Sequence, residues 1–378
     1  MTLGILGGGQ LGRMTTLAAA RLGIPVRLLS SDADGPADPF ADATVADWTA
    51  DTVLATFADG CDVVTVESEW APADRLAALR PDLPIRPAPD ALVLVRHKGR
   101  QRAAFDAAGL PQPPFAAPAT LADARAAREA LGGVVVAKQF EGSYDGYGNA
   151  TCHSDADVDA AWDRLAGPDG LLLEAFVPFE AEAAVTVARR PGGETVVYPV
   201  VRSEHRDHRL HAAVVPAGVA PAVEAEARRV ALAAVEAAGV VGVATVELFL
   251  TAVGGVDERP SVLVNEIAPR PHNTAHLTIE AHATSQFENH VRAVLDLPLG
   301  SPALRVPAAA MVNVLGTRNG PATPDLAGAL SVAGASVHLY GKRDVRERRK
   351  MGHVTATGAT ADDARDVAER AADAIRWT

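Results

Sequence analysis

The sequence predicts a three-lobed α/β protein whose first lobe is a doubly wound parallel sheet. Three observations lead there. The 378 residues are more than one ordinary core organises. The chain opens with a short apolar run, a glycine-rich turn, an Ala/Leu-rich helix and a second apolar run, which is a βαβ order. Late in the chain, two apolar strand patterns each carry one glutamate, Glu247 and Glu266.

The elements follow in order. Thr2 to Leu6 reads as a buried strand, and Gly7-Gly8-Gly9-Gln10-Leu11-Gly12 turns into a helix that runs to about Leu22. Val26 to Leu29 and Asp62 to Val66 are further strands. The proline-rich stretch from Pro81 to Pro89 marks a boundary, so the first lobe spans residues 1–95. A helix from about Lys98 to Ala108, an Ala-rich helix from Leu121 to Leu131, and strands at Val134 to Lys138 and Leu171 to Glu174 make a small second lobe, 96–175. Between those strands lies a loop with three glycines, 141–149, which reads as a mobile flap. The third lobe, 176–378, holds strands at Thr245 to Leu250 and Val262 to Ile267, and ends in a helix from Asp362 to Ile375.

Composition narrows the function. Apolar residues make up 48% and charged residues 22%, the balance of a globular enzyme. A formal net charge of -12 would repel a phosphate backbone, so no nucleic-acid partner is expected. Two cysteines, Cys61 and Cys152, suggest neither a disulfide framework nor a zinc site. The first residues enter a strand without a basic, then apolar leader, and no apolar stretch is long enough to cross a bilayer; a cytoplasmic protein without a membrane partner is expected. Arginine supplies nearly all the positive charge. The four lysines, Lys98, Lys138, Lys342 and Lys350, therefore mark candidate sites, because a compact ammonium is not interchangeable with a planar guanidinium.

Three motifs carry chemistry. Gly7, Gly9 and Gly12 fit G-x-G-x-x-G, and the helix N-terminus behind them suits an anion, with Asp32 where a ribose-binding acid would stand. An NAD-dependent oxidoreductase is the usual owner of that spacing and is the alternative from another enzyme class. The second motif is the glutamate pair. Period-2 alternation puts Glu247 on one face with Thr245 and Phe249, and Glu266 on one face with Val262 and Val264, so that both carboxylates can share one space. Such a pair repels unless a cation lies between, and magnesium suits hard carboxylates beside phosphates. The third is the run from Asn265 to His276, where Pro269 and Pro271 stiffen a loop bearing Arg270, His272 and Asn273. Arg270 can neutralise an anion, and His272 can exchange a proton near neutral pH.

These motifs, with Tyr144-Asp145-Gly146, Thr284-Ser285-Gln286-Phe287-Glu288, His338-Leu339-Tyr340-Gly341-Lys342 and Arg349-Lys350-Met351-Gly352-His353, stand in a shared order from residue 7 to 353. In that order the chain resembles the 5-(carboxyamino)imidazole ribonucleotide synthase family of the ATP-grasp superfamily. The resemblance implies an ATP-grasp fold behind a pre-ATP-grasp lobe. It also implies ATP- and bicarbonate-dependent carboxylation of the amine of 5-aminoimidazole ribonucleotide in purine biosynthesis, with magnesium and as a homodimer. Residue by residue, it implies that Gly8, Gly9, Gln10, Leu11, Glu67 and Glu69 line the substrate side. Lys98 and Lys138 would meet the ATP phosphates, Glu174, Ala175 and Val177 the adenine, and Glu182 the ribose. Glu247 and Glu266 would hold the metal. Tyr144, Asp145, Arg270, His272 and Asn273 match substrate and catalytic positions, and Lys342, Arg349 and Lys350 match the substrate-phosphate cluster.

The sequence departs from the family's pattern at Trp70, Ser143, Tyr147, Thr274-Ala275 and Glu347-Arg348. Most of these lie on the substrate side, so a related enzyme that carboxylates or ligates another small amine is the nearest alternative. A nucleotide-binding regulatory protein that lost turnover is the non-enzyme one.

Overall fold

The computed structural model describes residues 1–142, 148–207, 209–251 and 261–378. The opening βαβ pattern folds as read. Strands Leu3–Leu6, Val26–Ser30, Asp42–Val45 and Val63–Val66 form a wholly parallel four-stranded sheet, with Leu3–Leu6 and Val26–Ser30 in the centre. All four residues of Leu3–Leu6 are buried, as a parallel strand covered on both faces must be. The helix Gln10–Arg21 follows the glycine turn.

A small antiparallel sheet comes next, in the order Phe115–Ala116, Leu172–Ala175, Val135–Lys138, Asn149–Cys152. The helices Leu121–Ala130 and Asp155–Leu165 contribute Ala124, Val158 and Ala161 to its core. Ser154 and Asp157 close a reciprocal capping box at the start of the second helix.

The largest sheet has nine strands, all antiparallel. From Val262–Ala268 it passes to Gly242–Leu250, Ala181–Arg189, Val201–Arg206, Arg209–Val215, Ala308–Leu315, Lys350–Gly358 and Ala335–Leu339, with Thr195–Val197 on a side branch. The 17-residue helix Pro221–Ala237 buries Val230, Ala231, Ala234 and Val235 against one face, next to Val246, Leu248, Val262, Val264 and Ile267.

The register of Gly242–Leu250 against Val262–Ala268 corrects one expectation. Glu247 pairs with Glu266, but the next residue, Leu248, pairs with Val264. Asn265 is thus an extra residue, a bulge. Val262 and Val264 lie in the apolar layer, whereas Glu266 turns to the other face, level with Glu247. A regular ladder would have carried Glu266 in among the valines. An unpaired carboxylate in that layer would cost several kcal/mol, far more than one disturbed ladder bond at about 1 kcal/mol.

Candidate active site

The glycine turn is built around a carboxylate of the chain itself. Glu67, just after Val63–Val66, accepts from the Gly9 amide at 2.5 Å and the Leu11 amide at 3.1 Å. A Cβ on Gly9 would lie 2.2 Å from Glu67 Oε1, and one on Gly12 would lie 2.6 Å from the Gly7 carbonyl oxygen. The glycines therefore admit Glu67 to the helix N-terminus. Burial raises the Glu67 carboxyl even though those amides pull the other way. This corrects the expectation of an open anion site. The amides of Gly9 and Leu11 are engaged, and a dinucleotide pyrophosphate has no place there. Asp32 is exposed, and its amide turns to Ser30 Oγ. Two residues beyond Glu67, Glu69 receives Arg270 Nε at 2.8 Å; the guanidinium outweighs burial and lowers the Glu69 carboxyl.

On the open face of the large sheet, Glu247 and Glu266 stand in register. Burial and the neighbouring Glu266 charge push the Glu247 carboxyl above the usual carboxylate range. Glu266 is driven the opposite way, because Lys98 outweighs the burial. Lys98 Nζ is ion-paired with Glu266, and His272 Nε2 lies 3.2 Å from Glu247 Oε1. Among the described residues no group of three acidic, histidine or cysteine side chains converges on one point. Two in-register carboxylates that repel each other do fit a hard divalent cation that takes its other ligands from water and phosphate.

Lys138 ends the strand Val135–Lys138, and its ammonium lies 2.7 Å from Glu174 Oε2 and 3.5 Å from Asn265 Oδ1. Burial lowers the Lys138 pKa, with Arg102 and Lys98 adding to the effect, against the pull of Glu174. Glu174 also receives Arg102 Nε at 2.6 Å, and the two cations overcome burial to bring its carboxyl to about 2. The Glu174 side chain is thus inside this cluster, so an adenine can meet only main chain at that position. The Ala175 amide donates to Pro114 O, at the start of the 175–177 connector. Arg102 donates in addition to the carbonyls of Val264 and Asn265, at 2.9 and 2.6 Å. One buried guanidinium therefore fixes the bulge that turns Glu266 outward and the carboxylate that receives Lys138. Farther along the same face, Glu182 accepts from His205 Nδ1 at 2.8 Å.

The basic loop lies near the first lobe. Lys342 Nζ donates to Lys350 O at 2.7 Å, and Arg349 Nη1 donates to Asp344 O at 3.0 Å. Beside it a cleft of about 550 Å³ opens between Asp34, Gly35 and Arg13 on one side and Gly341 and Arg343 on the other. Asn273 does not face outward alone. It exchanges amide hydrogen bonds with Asn313, at 3.0 and 2.8 Å. Tyr144 and Asp145 lie outside the described residues, as do Ser143 and Tyr147.

Comparison with known proteins accords with this geometry. Residues 1–96 match a ribonucleotide synthetase preATP-grasp domain, 103–287 an ATP-grasp domain, and 309–367 a phosphoribosylaminoimidazole carboxylase C-terminal domain. The N5-carboxyaminoimidazole ribonucleotide synthase of Synechococcus elongatus is 38% identical over 357 residues, which is 93% of this chain and 88% of that protein. The chain belongs to the N5-carboxyaminoimidazole ribonucleotide synthase family. The Pseudomonas aeruginosa synthase is 37% identical, covering 94% of each chain. The crystal structure of the Thermus thermophilus enzyme superposes with a TM-score of 0.88 at 36% identity, over 100% of this chain and 99% of that one. An Aspergillus clavatus synthase in complex with ADP and 5-aminoimidazole ribonucleotide superposes with a TM-score of 0.87 at 32% identity, over 99% and 98%. Membership makes the chain an ATP-grasp carbon–nitrogen ligase that forms carboxyaminoimidazole ribonucleotide in purine biosynthesis, and the oxidoreductase alternative falls.

The departures from the family pattern now have local meanings. Thr274 keeps a hydroxyl, and it lies 2.9 Å from His272 Nδ1. Ala275 sits buried in the short turn Asn273–Ala275, outside the left-handed region, so no glycine is required there. Arg348 does adopt a left-handed φ of 65°, and its guanidinium pairs with Asp207 at 2.7 Å. Trp70 is 44% exposed beside Glu69, and nothing in the structure explains it. Sequence reasoning missed His205, Arg102 and the bulged Asn265 as parts of this cluster. No local signal marked Arg102, since its helix, Lys98–Ala107, also carries Lys98, Arg100, Gln101 and Asp106.

Proposed function

We propose that this chain uses magnesium-ATP to activate bicarbonate and transfers the carboxyl group to the exocyclic amine of 5-aminoimidazole ribonucleotide. The observation that carries the reading is the in-register pair Glu247 and Glu266, with Lys98 paired to Glu266 and Lys138 held beside it at Asn265. That set binds a divalent cation and an anion together. The lobes 1–95, 96–175 and 176–378 would then hold the nucleotide substrate, cover the ATP, and carry the metal and the substrate phosphate.

Glu247 and Glu266 would hold magnesium, which supplies charge neutralisation to the ATP phosphates. Lys98 and His272, which now stand on the two carboxylates, would turn toward phosphate oxygens and bicarbonate. Lys138 would donate to phosphate from its place against Glu174, and its fixed position removes reorganisation from the step. Adenine would lie along 174–177, with the ribose hydroxyls on Glu182. A bicarbonate oxygen attacks the γ-phosphorus, the β–γ bridging bond breaks, and ADP leaves. The resulting carboxyl phosphate gives carbon dioxide and phosphate beside the substrate amine. The amine nitrogen then bonds to carbon, and its proton passes to Asp145 or His272. Arg270, held by Glu69, would orient the bicarbonate-derived anion, and Tyr144 would take the substrate-side role that the family resemblance gives it. The substrate phosphate would rest on Lys342, Arg349 and Lys350, beside the cleft at Arg13. The chain would work as a cytoplasmic homodimer, on family resemblance alone.

Steady-state phosphate release tests the reading. Release should require both 5-aminoimidazole ribonucleotide and bicarbonate, and release stimulated by another amine instead would support the related-ligase alternative.

A further inference from the structure

We infer that Gln286 is the positioning residue for His272. The inference rests on the role just proposed for His272. Gln286 is fully buried at the first turn of the helix Gln286–Val294, which Ser285 caps through the Glu288 amide. Its Oε1 accepts from the His272 amide at 2.8 Å, and its Nε2 donates to the His272 carbonyl at 2.8 Å. The second Nε2 hydrogen reaches His276 Nδ1 at 3.0 Å.

The chemistry explains the residue type. His272 is extended, with φ -120° and ψ 150°, so its N–H and C=O are presented to one side as in a strand. A primary amide can accept from the one and donate to the other. A carboxylate can only accept, and an apolar side chain can do neither. The same pairing fixes which end of the amide is oxygen, since only one orientation satisfies both main-chain groups. Pro269 and Pro271 remove two amides from this loop and stiffen it, so the loop is aimed but cannot knit itself into a ladder. The Gln286 amide replaces that ladder. Forward of the clamp, the His272 ring is set between Thr274 Oγ1 at 2.9 Å and Glu247 Oε1 at 3.2 Å. Behind it, His276 is buried, and accepting at Nδ1 leaves its proton on Nε2. The glutamine thus ties the main chain of a reactive histidine to the rigid end of a helix. It touches no reacting atom itself, so it acts through His272.

A double-mutant cycle in the full-length enzyme tests this. Gln286→Met should lower kcat for nucleotide-dependent phosphate release at least tenfold, while KM for ATP stays within twofold. Gln286→Glu keeps the acceptor and the volume but loses the donors, and should fall by a similar factor, so a packing effect is separated from the amide's hydrogen bonds. In a His272→Ala background, Gln286→Met should cost less than twofold more. Losses that multiply in the double variant, or full kcat in Gln286→Met, would overturn the inference. Hydrogen exchange supplies the independent readout: peptides covering 270–276 should lose protection at least tenfold in Gln286→Met. Unchanged exchange overturns the clamp itself. A fully active His272→Ala enzyme with exchange still accelerated in Gln286→Met would remove the proposed role of His272 and leave the clamp standing.

Discussion

Replacing Arg102 by methionine would separate three parts of the site at one stroke. The guanidinium is 2% exposed and Glu174 is 3% exposed, so water cannot readily take over their interaction. Removing one partner of a buried ion pair costs about 3–5 kcal/mol. Lys138 still faces Glu174 at 2.7 Å, which places the expected loss at the lower end. The carbonyls of Val264 and Asn265 lose their donors as well, and an orphaned buried acceptor costs about 1–3 kcal/mol. A total loss of at least about 3 kcal/mol in urea unfolding at pH 7 is expected, a large share of the roughly 5–15 kcal/mol typical of a folded domain. The loss should depend on pH. The folded Glu174 carboxyl is held near 2 against 4.5 ordinarily, so its stabilising contribution is present above pH 4.5 and disappears as pH falls toward 2. Arg102→Met should therefore cost less at pH 3 than at pH 7. Adding Glu174→Gln would strand the buried Lys138 ammonium in turn, so the double variant should be no more stable than Arg102→Met at pH 7. A loss under about 1 kcal/mol, or a loss as large at pH 3 as at pH 7, would refute the argument.

Three further outcomes follow from the site. Glu247→Gln and Glu266→Gln should each cut ATP cleavage by orders of magnitude and lower magnesium affinity in calorimetry, with circular dichroism unchanged; near-normal turnover of both at ordinary magnesium would remove the metal assignment. Lys138→Arg should be nearly as inactive as Lys138→Ala in phosphate release, because a planar fork cannot fill the space between Glu174 and Asn265 occupied by a point charge. Replacing Arg349 and Lys350 together by glutamine should raise KM for the nucleotide and spare KM for ATP. About 1.5–3 kcal/mol per lost charge-assisted contact corresponds to at least tenfold for each. An unphosphorylated nucleoside that served equally well would contradict that phosphate site.

The parts of this protein that could be read from sequence are those whose signal is local. The opening strand, the helix after Gly9 and the strand ending at Lys138 all lie within a few residues of their expected bounds, because apolar runs meet glycine, proline or charge at their ends. The large sheet was mostly unread. Val201–Arg206 pairs only with neighbouring strands, but its alternating Arg202, Glu204 and Arg206 resemble a solvated loop. The face of Glu266 could not be read by counting, since the one bulged residue inverts every parity beyond it. Arg102 and Gln286 escaped notice for a related reason. What makes them functional is a set of partners at residues 174, 264, 265 and 272, and only the fold assembles those. Glu67 is the instructive reversal: the glycine spacing was correctly seen as an anion site, but the anion is the protein's own.

The central claim is that ATP activates bicarbonate here and that the carboxyl group goes on to the amine of the ribonucleotide. Single turnovers with oxygen-18-labelled bicarbonate test it most directly, because the bridging oxygen of a carboxyl phosphate stays with phosphorus when the carboxyl group departs. The account predicts one labelled oxygen in each phosphate released, and one carboxylated nucleotide formed per ATP consumed. Unlabelled phosphate, released at the same rate whether or not the ribonucleotide is present, would contradict it.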